Sequence, residues 1–304
     1  MELENLKKLL EKQRYKMAGR HSAVKLCHWT KKSMLDEGFC YKQQFYGIQS
    51  HRCLQMTPSV GWCTHKCVFC WRMTEYNLGT EPEGFDDPGF VIDECVRQQR
   101  LLLSGFGGVP ERINRRKLEE AQNPNQAAIS LVGEPMFYPR MSELLREFHR
   151  RGFTTFLVSN GTFPERLSSL EELPTQFYVS IDAPDEETYL RIDNPLIPDG
   201  WARINETLEL MRGLKTRTVA RLTLVKDWNI KDVEGYARLI GKAEPDFVEL
   251  KAFMLVGGSR RRLSTENMPS HAEVRGFSER LSGLIGYRLS DEKVDSRVVL
   301  LSKD

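Results

Sequence analysis

With 304 residues the chain has room for one large domain or two ordinary ones at about 150 residues each, and its 40% hydrophobic and 28% charged residues are the profile of a globular protein. Lys plus Arg number 44 and Asp plus Glu 42, so the net charge of +2 says nothing of partners, and a nucleic-acid surface has to come from local clustering. No apolar run nears the ~18 residues of a membrane span and the opening Met-Glu-Leu-Glu-Asn-Leu-Lys-Lys lacks the apolar core of a signal peptide, which excludes collagen, disorder, a membrane span and classical secretion and leaves a cytoplasmic protein as the expectation.

Residues 2–16 read as an amphipathic helix, with Leu3, Leu6, Leu9 and Leu10 on one stripe and Lys and Glu opposite. From about residue 51 short β-rich runs at 53–57, 127–132, 153–159, 177–181, 219–225 and 247–254 alternate with helical patterns. The helices are expected at 90–103, 141–151, 186–192, 201–214, 233–242 and 272–284. Such alternation makes βαβ units and a parallel sheet. Six strands are too few for a closed eight-stranded barrel and suit a partial barrel or an open sheet, both of which bind ligands at the carboxyl ends of the strands. The segment 111–124, rich in Arg, Asn and Gln, is a surface connection or a short helix. The tail 287–302, two short β-rich runs around Asp291-Glu292-Lys293, reads as an added hairpin. Three parts follow: an N-terminal extension over 1–50, a core over 51–285 and a hairpin extension over 286–304.

Cysteine positions say more than cysteine number. Six of the seven lie between Cys27 and Cys70, and in a reducing cytosol such crowding argues for metal or redox chemistry rather than disulfides. Cys63-Thr-His-Lys-Cys67-Val-Phe-Cys70 is C-x₃-C-x₂-C, just after the first expected strand. Three thiolates on one compact loop can hold three irons of a cubane cluster and leave the fourth iron open to a small molecule. A structural zinc wants four ligands, and His65 is crowded between the first two cysteines. Three core thiols would not be interleaved with the polar Thr64, His65 and Lys66. Cys95 falls with Val91 and Leu102 on the apolar side of its helix and is assigned to packing. Cys27, Cys40 and Cys53 form C-x₁₂-C-x₁₂-C. Equal spacing has no intrinsic mechanism, and the residues alone leave open unrelated thiols, a zinc site completed by Cys95, His21, His28 or His51, and a second metal centre.

With Phe69 before its last cysteine, the loop resembles that of the radical S-adenosylmethionine superfamily, and later strands carry the resemblance on. The second expected strand runs into Gly133-Glu134-Pro135, the third ends in Ser159-Asn160-Gly161 and the fourth in Ser180-Ile181-Asp182. The resemblance implies a partial (βα)₆ barrel of the TIM type, with an N-terminal helical, cluster-binding extension and a C-terminal β-hairpin. It implies a 4Fe-4S cluster on Cys63, Cys67 and Cys70, with S-adenosylmethionine chelating the open iron. Gly133, Glu134 and Pro135 would meet its methionine end, Ser159, Asn160, Ser180 and Asp182 its ribose and carboxylate, and Phe69 belongs to the same cofactor-binding set. The cofactor then supplies the radical, and the protein supplies orientation and exclusion of quenchers.

The C-x₁₂-C-x₁₂-C set, with Cys40-Tyr41-Lys42 and Phe45-Tyr46-Gly47-Ile48, narrows the resemblance to the tRNA 4-demethylwyosine synthase family. That family converts N1-methylguanosine-37 of phenylalanine tRNA to a tricyclic wyosine precursor, with pyruvate as the source of two carbons. By this resemblance Cys27, Cys40 and Cys53 hold a second 4Fe-4S cluster. Lys42 is then the catalytic candidate for a Schiff base with pyruvate, in an apolar surround of Phe39, Tyr41 and Phe45; on its own terms it is an ordinary surface lysine. No flavodoxin-like domain precedes the core, as in the archaeal form, which implies an external electron donor such as flavodoxin or ferredoxin. A monomer is expected.

Basic groups stand at Arg112, Arg115, Arg116 and Lys117, at Arg146, His149, Arg150 and Arg151, and at Lys25, Lys31 and Lys32. Each is more often a solvated face than an RNA site. The exception is Arg260-Arg261-Arg262, which follows the sixth strand and is assigned to tRNA phosphates, with the target base leaving its stack. Two other readings compete: another radical enzyme that modifies RNA or activates a protein, and a non-catalytic zinc protein that binds RNA.

Overall fold

The computed structural model describes residues 2–82, 84–108 and 111–303. The chain divides into two compact units. The first holds Met1–Cys63, Leu78–Val158 and Glu171–Thr175, and the second Thr64–Asn77, Ser159–Leu170 and Gln176–Asp304.

In the first unit, helix α1 (Glu2–Lys12) buries Leu6 and Leu10; the side chain of Leu3 lies outside the described residues. The helix stops short of residue 16 because the chain turns at Arg14, whose φ of 63° is left-handed, and enters β1 (Lys16–Ala18). Strand β2 (Ser22–Val24) pairs antiparallel with both β1 and β3 (Cys53–Thr57). These two strands were not expected, since three residues are too few to show alternation. The short helices α2 (His28–Met34) and α3 (Tyr41–Tyr46) fill the stretch between β2 and β3. Helix α4 (Pro88–Leu103) starts on Asp87, whose carboxylate accepts the amide of Gly89, with proline in the first turn. It buries Val91, Ile92, Cys95 and Leu103, which bears out Cys95 as a core thiol; burial pushes that thiol up. Asn114 caps α5 (Arg115–Ala121), so the 111–124 segment contains a helix. Strands β4 (Gln126–Ile129) and β5 (Thr154–Ser159), joined by α6 (Met141–Arg150), extend β3 in parallel through Cys53↔Gln126 and Gln126↔Thr154.

The second unit repeats the pattern after α7 (Pro164–Ser168). Strands β6 (Gln176–Ser180), β7 (Arg217–Leu224) and β8 (Phe247–Ala252) are parallel. Between and after them run α8 (Glu186–Ile192), α9 (Gly200–Met211), α10 (Val233–Ala243) and α11 (His271–Ile285). Ser270 and Glu273 close a capping box on α11, and Gly286 ends it at a φ of 70°. The hairpin forms from β9 (Arg288–Lys293) and β10 (Val298–Ser302). Its turn is Val294–Arg297, with Arg297 left-handed, while Asp291–Lys293 belong to the strand. Strand β10 is buried throughout because it pairs antiparallel with β8 on one side and β9 on the other, giving the order β6-β7-β8-β10-β9.

Candidate functional site

In the first unit, the three N-terminal cysteines each stand where an extended residue hands over to a regular element. Cys27 and Cys40 are the N-caps of α2 and α3, and Cys53 opens β3. One serine ties these segments together. The Ser50 carbonyl accepts from Thr30 Oγ1 of α2 at 3.0 Å, its hydroxyl accepts the Cys40 amide at 2.9 Å, and its own amide donates to Gln43 Oε1 of α3 at 3.0 Å. As a result Cys53 feels Cys27, Cys40 and Lys42 at once. Burial pushes its thiol up, the two other cysteines push it further, and the ammonium of Lys42 pulls it down. Lys42 is only 9% exposed, which rules out the ordinary surface lysine. Its Nζ lies 5.1 Å from the centre of the Phe156 ring on β5. Tyr46 packs edge-on against the same ring at 5.8 Å, whereas Phe39 is 37% exposed. Tyr41 is buried against Phe45 as expected, but the ring nearest the amine comes from a strand that no local pattern could have nominated.

The same unit presents Gly133-Glu134-Pro135. Gly133 has a φ of 74°, and a Cβ there would stand 2.0 Å from the Ser59 carbonyl oxygen, so only glycine fits. The amide of Glu134 donates to the Trp62 carbonyl at 2.8 Å and its own carbonyl accepts from Ser59 Oγ at 2.6 Å. The backbone just before Cys63 is thus pressed onto the loop that follows β4. The Glu134 side chain is buried, with Oε1 accepting the Met136 amide.

In the second unit, the loop carrying Cys67 and Cys70 is held along its length. Its first half pairs with the stretch after α8: the amides of Lys66 and Val68 donate to the carbonyls of Asp193 and Ile192, and the Leu196 amide donates to the Thr64 carbonyl at 2.7 Å. Thr64 Oγ1 also accepts from Asn160 Nδ2 at 2.8 Å and contacts Thr162 Oγ1 at 2.8 Å. Asn160 therefore braces the loop. Ser159 Oγ accepts the Gly161 amide, which fixes the turn at the end of β5. The second half of the loop, from Val68 to Glu75, is gathered by Arg262. That arginine is turned onto the loop and only 17% exposed, whereas Arg260 and Arg261 are exposed.

A small pocket in the same unit is lined by His65, Asn160, Ser180, Asp182, Tyr189 and Asp193 among others. Asp182 is 8% exposed; its Oδ1 accepts the Thr223 amide, and burial raises its carboxyl to about 6. Asp193, buried beside it, is raised by burial and then by the charge of Asp182, while the Cys67 thiol donates to it. His65 is hydrogen-bonded to the Tyr189 hydroxyl at 2.8 Å, and burial lowers its pKa to about 3, so it is neutral. His65, Cys67 and Asp193 come within 4.8 Å of one another, but with Tyr189 engaging the imidazole they are not the four-ligand set of a structural zinc.

The donor chemistry suits an iron–sulfur cluster. Cys63, Cys67 and Cys70 are half-buried thiols outside any disulfide, on one short loop. Buried polar atoms without a hydrogen-bond partner gather beside them: Nε and Nη1 of Arg72, and Oδ1 of Asp193. Such atoms call for a charged or hydrogen-bonding group, which a cluster with its cofactor provides. Thr162, Tyr189, Asp193 and Phe156 take part in these arrangements without any signal in the sequence, because each arrives from an element distant along the chain.

The arrangement is that of a radical S-adenosylmethionine enzyme, and residues 57–240, more than half of the chain, match the Radical SAM superfamily. Residues 242–303 match the family of wyosine base formation. The chain is 59% identical to the S-adenosyl-L-methionine-dependent tRNA 4-demethylwyosine synthase of Pyrococcus horikoshii, over 97% of its own length and 88% of the relative's. It is 41% identical to the corresponding enzyme of Methanocaldococcus jannaschii over 99% and 96%. A solved structure of TYW1 with a lysine–pyruvate adduct bound matches with a TM-score of 0.90 at 39% identity, covering 98% of this chain and 95% of that one. A crystal structure of archaeal TYW1 matches at 0.82 and 37%, with the same coverage. The chain belongs to the tRNA 4-demethylwyosine synthase family. Its fold is the α/β, partial-barrel class expected from the sequence, and the family brings S-adenosylmethionine and an iron–sulfur cluster. Among the described residues no helix is long and apolar enough to cross a membrane.

Proposed function

We propose that the chain joins two carbons of pyruvate to N1-methylguanosine-37 of phenylalanine tRNA, closing the third ring of 4-demethylwyosine. The observation that carries this reading is the gathering of Cys27, Cys40, Cys53 and a buried Lys42 in one place of the first unit. A radical enzyme with a single cluster has no use for that second gathering.

In this reading Cys63, Cys67 and Cys70 bind the cluster that holds S-adenosylmethionine, and Phe69, Gly133, Glu134, Pro135, Ser159, Asn160, Ser180 and Asp182 bind and orient the cofactor. When bound, cluster and cofactor supply an organic radical by one-electron cleavage of the sulfonium carbon–sulfur bond. Cys27, Cys40 and Cys53 would hold a second 4Fe-4S cluster, which would supply a Lewis-acidic open iron beside Lys42. Lys42 condenses with the carbonyl of pyruvate, losing water, and keeps the two carbons in place until the base has captured them and the bond to the carboxyl carbon has broken, that third carbon departing. The aromatic wall of Phe156 and Tyr46 keeps water from the imine. Exposed Arg260 and Arg261 contact tRNA phosphates. An external donor such as flavodoxin or ferredoxin supplies the electron, and the protein works as a cytoplasmic monomer.

The test is incubation of the reduced protein, purified without oxygen, with S-adenosylmethionine, pyruvate and tRNA carrying N1-methylguanosine, followed by nucleoside mass analysis. The tricyclic nucleoside with two carbons from labelled pyruvate is the expected product. Cofactor cleavage without any new nucleoside would move the assignment to another radical enzyme.

A further inference from the structure

Arg262 is the last residue of an arginine triplet, where a sequence reading places a phosphate contact. The structure leaves it no donor for a phosphate. A guanidinium has five N–H groups. Here Nε donates to the Val68 carbonyl at 3.0 Å, and Nη2 to the carbonyls of Cys70 at 2.5 Å and Arg72 at 3.1 Å. Nη1 donates to Thr74 Oγ1 at 3.1 Å and to Glu75 Oε1 at 3.3 Å. Five donors meet five acceptors, all within eight consecutive residues around the last cysteine of the loop.

The turn that carries Arg262 is shaped to the same stretch. The Gly258 amide donates to the Trp71 carbonyl at 2.7 Å. A Cβ on Gly257 would stand 2.4 Å from the Trp71 oxygen, and one on Gly258 2.4 Å from the Arg72 oxygen, so neither position admits a side chain without moving the loop. Gly257 also has a φ of 58°, which favours glycine on its own account. Two glycines and one arginine therefore grip the chain on both sides of Cys70. From within its own loop the Cys70 amide donates to the Cys67 carbonyl at 3.1 Å. Three backbone carbonyls at alternate residues, 68, 70 and 72, met by one side chain are a task for the rigid fork of arginine, not for the single ammonium of lysine.

We propose that Arg262 is a positioning residue for the radical cluster: it fixes the backbone through Cys70, and hence the thiolate that residue offers, and places a fixed positive charge beside the cluster. The inference rests on the reading that Cys63, Cys67 and Cys70 hold a cluster. Two consequences follow. A loop freed at Cys70 gives up iron more readily, because each thiolate of a three-cysteine site carries one iron. A cation beside an anionic cluster favours its reduced, more negative state, so removing it makes the cluster harder to reduce. Glu75, on the outer side of the guanidinium and 46% exposed, offsets only part of that charge.

The experiment compares wild type, R262K and R262Q, each purified without oxygen as the full chain. Three quantities are read: iron loss to a chelator, the midpoint potential of the electron-paramagnetic-resonance signal that changes on adding S-adenosylmethionine, and tRNA affinity against salt. Using the cofactor-responsive signal confines the potential to the Cys63–Cys70 cluster. In R262Q iron loss is expected to quicken at least tenfold and the midpoint to move negative. R262K, with the charge but not the fork, should recover most of the potential and less of the iron retention. The salt slope of tRNA binding should stay at the wild-type value in both. Should R262Q fail to fold, R262K alone decides: iron loss like wild type overturns the proposal. So does a wild-type midpoint in a folded R262Q, or a tRNA salt slope that falls while the cluster readouts stand still. If instead the wild type itself shows no cofactor-responsive signal, it is the cluster reading that fails.

Discussion

The two cysteine sets of this chain differ in how they are made. Cys63, Cys67 and Cys70 sit on eight consecutive residues, and distant elements serve to hold the loop: the stretch after α8, Asn160 after β5, and Arg262 after β8. Cys27, Cys40 and Cys53 stand on three separate elements, and Ser50 brings these together. A contiguous set carries its chemistry in its spacing and takes its precision from the fold. A dispersed set has neither until the fold exists. The first should therefore keep its ligand set whatever holds the loop and lose hold of iron by degrees when a bracing residue goes, whereas the second depends on packing for the set itself.

The largest effect is expected at the contiguous set. C67A should reduce 5′-deoxyadenosine formation below detection while iron falls from about eight to about four per chain, the Cys27 set keeping its share. Continued reductive cleavage of the cofactor by C67A would erase the distinction between the sets. C27A, C40A or C53A should do the reverse, abolishing the tricyclic nucleoside while 5′-deoxyadenosine still forms. Because Ser50 joins the elements that carry that set, S50A should lower its iron content as well, by severalfold rather than completely.

Lys42 sharpens the comparison chemically. Borohydride in the presence of labelled pyruvate should leave the label on Lys42, read by peptide mass analysis. K42A should keep both clusters and cofactor cleavage and lose product at least a hundredfold. Label on another lysine, or full product from K42A, would end the Schiff-base role and leave the clusters in place.

Smaller is the pH effect at Asp182. Burial raises its carboxyl from 3.8 to about 6. The neutral form is thus favoured in the folded state, and this stabilisation, complete below about 4, is lost as pH rises through 6. D182N stays neutral and keeps an acceptor for the Thr223 amide, so its stability relative to wild type should grow on going from pH 4 to pH 7, by on the order of 2 kcal/mol in the metal-free protein. Denaturant titrations at the two pH values measure it, and a difference independent of pH would mean that the carboxyl is not raised. The smallest effect belongs to the exposed arginines: R260A combined with R261A should weaken tRNA binding severalfold and lower the salt slope by about two.

Much of the scaffold was legible. Long amphipathic helices and β-rich runs announce themselves by period, and α4, α6, α9, α10 and α11 lie where the pattern places them. The misses have local causes. Strands β1 and β2 are three residues each, and the hairpin turn falls at Val294–Arg297 because Arg297 takes a left-handed backbone that no glycine or asparagine marks. The triplet Arg260-Arg261-Arg262 is uniform in sequence, yet the structure divides it, two side chains outward and one into the cysteine loop.

By itself the sequence determined what is local: the C-x₃-C-x₂-C loop, the glycine at 133, the parallel α/β order and the family these mark. Spacing along the chain dictates them, since a loop of eight residues cannot scatter its thiols. Tertiary structure decided what is distant. It made Lys42 a buried neighbour of three cysteines, set Phe156 against it, paired Asp182 with Asp193, and spent every donor of Arg262 on the stretch from Val68 to Glu75. The physical reason is that burial and hydrogen-bond partnership depend on which surfaces the packed strands and helices close against one another, and residues as far apart as Val68 and Arg262 have no shared signal in sequence until they meet.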